Sequence, residues 1–141
     1  MIKLSSLIAA TVLAAAIGNV YAATDNPCPD LQTLRDIGST FTHALQYPRD
    51  SKQHDLWVLT SEPFFFGGET WQTVYDVYMP GIDDPQTAVA KGQNDYNYSI
   101  LMTTPDAHIS GTLISCGYSP QGVDYLVYAD NQVLAGLKKF R

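Results

Sequence analysis

HISGTLISCGYSPQGVDYLVYA, residues 108–129, decides how this chain is read, because it holds a β-hairpin and one half of the only cysteine pair. Ser119-Pro120-Gln121-Gly122 places Ser first, Pro second where its fixed φ is wanted, and Gly last, which is the pattern of a type I turn. Pairing Tyr118 with Val123 across that turn puts Ile114, Cys116 and Tyr118 on one apolar face with Val123, Tyr125 and Val127. The opposite face carries Ser115, Gly117 and Asp124 together with Leu113, Leu126 and Tyr128, so it is at most half wet. A bulge at Gly122 would slip the register by one residue and exchange the faces.

Cys116 has one available mate, Cys28, near the other end of the chain. A structural disulfide between them is the expectation, with two unpaired thiols as the alternative. No C-x-x-C or clustered ligand set points to a catalytic or metal-binding cysteine. Closing so long a loop would stabilise by roughly 4 to 5 kcal/mol in the chain-entropy model.

The first residues fit an oxidising destination. Met1-Ile2-Lys3 is a short basic start, Leu7 to Ile17 is apolar, and Val20-Tyr21-Ala22 supplies the small residues of a cleavage site. Residues 1–22 therefore read as a secretory signal, leaving residues 23–141 as one small domain in the periplasm or outside the cell. The apolar run is shorter than a transmembrane helix needs, and no later stretch approaches that length, so no integral membrane segment is expected after the signal is removed. Loss of Lys3 lowers Lys and Arg from 8 to 7 against 14 Asp and Glu. An acidic domain whose one cationic cluster is Lys138, Lys139 and Arg141 is not expected to bind nucleic acid.

Helical spacing of Leu31, Leu34, Ile37, Phe41 and Leu45, behind an Asp30 cap, predicts a helix over residues 30–46. Asp55 to Thr60 reads as a strand apolar on both faces, hence interior. Glu69 to Met79 is the longest strand expected, with Trp71, Thr73, Tyr75, Val77 and Met79 inward. Between them Phe64-Phe65-Phe66 precedes a Gly67-Gly68 turn. Three consecutive Phe cannot all point inward, so the cluster is a covered strand end, a ligand-contacting apolar lip or a membrane contact. Asp84 and Pro85 can start one or two helical turns, Gly92 to Asn97 reads as loop, and Tyr98 to Thr103 as a further strand. Val133, Leu134, Leu137 and Phe140 return a short element to the core. Short turns between strands call for antiparallel pairing. The expected class is α+β: an N-terminal helix packed on an antiparallel sheet of about four to six strands, with one disulfide.

Chemistry narrows the function by exclusion. The 3 histidines, His43, His54 and His108, are far apart in sequence; H-E-x-x-H and a G-x-S-x-G elbow are both missing, so no enzyme is expected. Binding asks for less. Haem iron accepts His, Tyr or Met, and a haem face wants apolar and aromatic walls. His43, His54, His108, Tyr96 and Tyr98 are the candidate ligands, with Phe64, Phe65 and Phe66 as a candidate wall; beyond haem iron no metal site is expected.

The export signal, the acidic mature domain, Cys28 with Cys116, and the run Cys116-Gly117-Tyr118 to Val123-Asp124-Tyr125-Leu126-Val127-Tyr128-Ala129-Asp130-Asn131 resemble the small secreted haemin-binding proteins known from Legionella and its relatives. The resemblance spans the chain and implies haem capture outside the cytoplasm, for iron acquisition, without catalysis. It carries no ligand motif, so it does not choose among the candidates above. The rival expectation is a secreted module that holds a protein partner through a sheet edge or the Phe cluster, with a small hydrolase as a third.

Overall fold

The computed structural model describes residues 26–47 and 55–132. The signal segment 1–22, His54 and the expected element beginning at Val133 lie outside the described residues. Within them the chain is α+β, with an antiparallel sheet of seven strands and two α-helices. The strands are β1 (Phe41–Gln46), β2 (Leu56–Ser61), β3 (Phe64–Phe66), β4 (Glu69–Tyr78), β5 (Asp106–Ser110), β6 (Leu113–Gly117) and β7 (Tyr125–Asp130). They run in the order β1-β2-β4-β7-β6-β5, and β3 pairs with β4 off that path. The helices are α1 (Leu31–Asp36) and α2 (Pro85–Tyr98).

The single helix expected over residues 30–46 is not formed. Asp30 does cap α1, its carboxylate accepting from Thr33 N–H at 2.7 Å. After Asp36 the chain tightens into a 3₁₀ turn, Ile37–Thr40, and leaves as strand β1. Phe41 pairs with Ser61 but His43 with Thr60, so Thr42 is the extra residue of a β-bulge. The bulge moves the next inward position after Phe41 from i+2 to i+3, and Phe41 and Ala44 are the buried pair of β1. That spacing is what imitates a helix in the sequence.

β4 is buried over nearly its whole length, on both faces, as a central strand should be. Leu59, Tyr75 and Val127 are cross-strand neighbours on one face. Helix α2 covers that face: the Tyr96 ring meets Phe41 edge-on at 4.9 Å and Tyr75 at 5.4 Å between centroids. Ala88, Gly92 and Tyr96 are the buried stripe of α2. Gly92 is required there, since a Cβ would sit 2.1 Å from Leu59 Cδ2, and Leu59 is fully buried. The helix runs on through residues expected to be loop and strand. Asp84 caps it by accepting from Thr87 N–H at 2.8 Å, with Pro85 in the first turn. Residues 99–105 keep one sheet-like bond, Met102 N–H to Tyr118 C=O at 2.8 Å.

β6 and β7 pair with Cys116 opposite Ala129, and Tyr118 N–H reaches Val127 C=O at 2.8 Å. The register therefore lies four residues from the expected one, because Ser119 Oγ accepts from Val127 N–H at 2.6 Å and widens the loop. The shift is even, so Ile114, Cys116 and Tyr118 still share a face with Tyr125 and Val127. Gly67 and Gly68, both at positive φ (58° and 85°), make the two-residue turn between β3 and β4. The Cys28–Cys116 disulfide is present and ties the lead-in to the helix-covered face, where Tyr118 Oη also donates to Pro29 C=O.

Candidate functional site

The Thr42 bulge brings together two side chains that a regular strand would send to opposite faces. Thr42 Oγ1 lies 2.8 Å from Glu62 Oε1 and 2.9 Å from His43 Nδ1. A threonine hydroxyl has one hydrogen to give, and the carboxylate can only accept it. Thr42 must therefore accept from His43, so the neutral imidazole carries its hydrogen on Nδ1. Nε2 is left as a lone pair on an exposed side chain, at the edge of the sheet. A carboxylate–hydroxyl chain behind an imidazole orients the ring and raises its donor strength, as in the outer shells of metal-ligating histidines.

His43 belongs to the face that neither helix covers. Cross-strand pairing carries this face as rows: His43, Thr60, Val74 and Tyr128 in one; Leu45, Val58, Asp76 and Leu126 in the next. Asp76 is buried, and its Oδ1 meets no donor among the described residues. Burial pushes its carboxyl up to about 6. Burial also raises the Tyr128 phenol, with the Asp76 and Asp130 charges adding to it, and it raises Tyr47 in the same way with Asp76. Asp130, paired with Gln72 on the same face, is likewise raised by burial, so the face next to His43 carries two carboxyls that resist ionisation among largely apolar neighbours.

A carboxyl whose folded pKa exceeds its unfolded value near 4 binds a proton in the native state across the interval between the two. Stability consequently falls as pH rises from about 4 to about 6 and levels off above. Asp76→Asn removes the ionisation cost. It is expected to stabilise the protein at pH 7 by on the order of 1 kcal/mol after discounting for solvent screening, and to give no advantage at pH 4. Thermal melts of both proteins at the two pH values check this.

The remaining candidates are not brought together. His108 is exposed on β5, the opposite edge of the six-strand path from His43. Five inter-strand spacings separate those edges, roughly 24 Å, so the two imidazoles cannot share one iron. Tyr96 is fully buried and its hydroxyl donates to Leu34 C=O at 2.5 Å, which makes it a core residue facing away from ligand. Tyr98, at the end of α2, is 81 % exposed. In β3, Phe64 and Phe66 pack against the core and Phe65 is exposed. Trp71 Nε1 donates to Phe66 C=O at 3.1 Å. Cys28 and Cys116 are consumed by the disulfide. Among the described residues no three His, Cys, Asp or Glu side chains cluster as a metal site, and no helix is long and apolar enough to cross a membrane. Thr42 and Glu62 are the site residues that the sequence hides. The only trace of them is the three-residue step between Phe41 and Ala44.

No family model, curated protein or solved structure matches this chain.

Proposed function

We propose that the chain is an exported haem-binding protein that takes haemin through His43 Nε2 at the β1 edge. One observation carries the proposal: the Glu62–Thr42–His43 chain, which fixes the tautomer that leaves Nε2 free to ligate. On the same face Leu126 is exposed and Leu45 and Val58 are half-buried, an apolar edge for a macrocycle. Because His108 sits on the far edge, it does not supply the second axial ligand to a haem held by His43. Export rests on the reading of residues 1–22 as a signal, and the buried disulfide suits an oxidising compartment. Iron acquisition outside the cytoplasm is the role that follows.

Haemin titration of the oxidised mature chain tests this. A saturable Soret change is expected, weakened roughly tenfold or more in His43→Ala and about tenfold in Thr42→Val, which keeps the shape but removes the orienting oxygen. His108→Ala should titrate like the wild type. A non-saturating response, or a His43→Ala protein that binds normally, defeats the proposal. The open β5 edge favours a second reading, an interaction module without cofactor. Colourless protein from haem-supplemented growth would support that reading against the first.

A further inference from the structure

The two edges of the sheet differ in how they are defended. β1 is bulged at Thr42, which bends the edge and interrupts its pairing surface. β5 is straight: Asp106 to Ser110 pair with Gly117 to Leu113 without a break, and all five residues are exposed. It contains no lysine, proline or bulge to deter another strand.

The hydrogen-bond pattern shows which backbone groups of β5 are free. Ile114 N–H donates to Asn131 Oδ1 at 2.7 Å, and Ile114 C=O accepts from Asn131 N–H at 3.1 Å. Both polar groups of Ile114 therefore point toward β7. Its partner on the other side, Ile109, must then form a non-hydrogen-bonded pair with it. The N–H and C=O of Ile109 consequently point outward, and by alternation so do those of Ala107.

We propose that β5 pairs antiparallel with β5 of a second copy of this chain, centred on Ala107, so that Asp106 of each copy faces His108 of the other. Two copies related by a twofold axis make a self-complementary contact in which every residue must suit its image. Centring on Asp106 or His108 sets like side chains against each other. Centring on Ile109 brings the Gly111 turn, at φ 61°, into the ladder. Centring on Ala107 alone places a carboxylate opposite an imidazole, twice, on the face that bears both side chains. In that register Ala107 exchanges N–H and C=O bonds with its image. Each Ile109 N–H meets the opposite Pro105 C=O, which Asn26 Nδ2 now reaches only at 3.4 Å. Pro105 lacks an N–H and so marks where the ladder stops. Ile109, 64 % exposed in the single chain, becomes covered.

Sedimentation velocity of the oxidised mature chain over a range of concentrations tests the contact. A reversible monomer–dimer equilibrium is expected. Ile109→Pro removes an outward N–H that β5–β6 pairing does not use, and should abolish the dimer while leaving the far-ultraviolet spectrum unchanged. Should that variant fail to fold, Asp106→Lys carries the test: it should weaken dimerisation roughly fivefold to tenfold, and the charge swap Asp106→Lys with His108→Glu should restore it. A wild type that stays monomeric overturns the proposal. So does an Ile109→Pro protein that folds and still dimerises, or a charge swap that restores nothing.

Discussion

Loss of the Cys28–Cys116 bond, by reduction or in a Cys28→Ala/Cys116→Ala double variant, is expected to lower the free energy of unfolding by roughly 4 kcal/mol. The two residues are 88 apart in sequence, so the bond closes most of the described chain into one loop and restricts the unfolded state accordingly. Against a total stability of about 5 to 15 kcal/mol for a domain of this kind, the loss leaves a marginal fold. Local contacts soften the blow without replacing the link. Tyr118 Oη still holds Pro29 C=O, and Asn26 Oδ1 still accepts from Cys28 N–H at 3.1 Å. Urea unfolding of oxidised and reduced protein separates the two contributions. A bond that acts on the unfolded state lowers the midpoint and also steepens the urea dependence on removal, because the uncrosslinked chain exposes more surface. A midpoint that does not move would show that the constraint contributes nothing net.

That bond was legible in the sequence because there is only one way to pair two cysteines. The faces of the hairpin were legible too, since Ile114, Cys116 and Tyr118 alternate strictly, and an even register error leaves alternation intact. The long strand could be read from Trp71, Thr73, Tyr75 and Val77 for the same reason. Two elements hid. β1 was disguised by its own bulge, which gave Phe41 and Ala44 the three-residue step of a helix. α2 was disguised because its buried stripe is Ala88, Gly92 and Tyr96, and hydrophobic periodicity does not count glycine as an apolar contact. Both failures bear on the site. His43 was visible as a residue type, but its partners Thr42 and Glu62 are set side by side only by the bulge and by the β1–β2 pairing, which continues past Ser61 as Glu62 N–H donates to Thr40 C=O at 2.9 Å. Tyr96 is a candidate by residue type in a stretch that reads as loop, whereas α2 carries it into the core.

Tyr96→Ala is the side-chain truncation expected to cost most, about 3 to 5 kcal/mol. Its ring is fully buried between Phe41 and Tyr75, and Gly38 lies so close that a Cβ there would be 2.8 Å from Tyr96 Cδ1. Such a site cannot collapse around the space left behind, because α2 is already pressed onto Leu59 at Gly92. Tyr96→Phe isolates the hydroxyl. Leu34 C=O is one of the last carbonyls of α1, and the Tyr96 hydroxyl donates to it. Removing the donor leaves a buried acceptor unpaired, at about 1 to 3 kcal/mol. Denaturant midpoints of the two variants should therefore fall in that order below the wild type. Haemin titration of Tyr96→Phe distinguishes a core role from a ligand role: a core tyrosine leaves the Soret band where it was, while His43→Ala moves it. A Tyr96→Phe protein of unchanged stability whose Soret band shifts would return Tyr96 to the ligand set and remove His43 from its place at the iron.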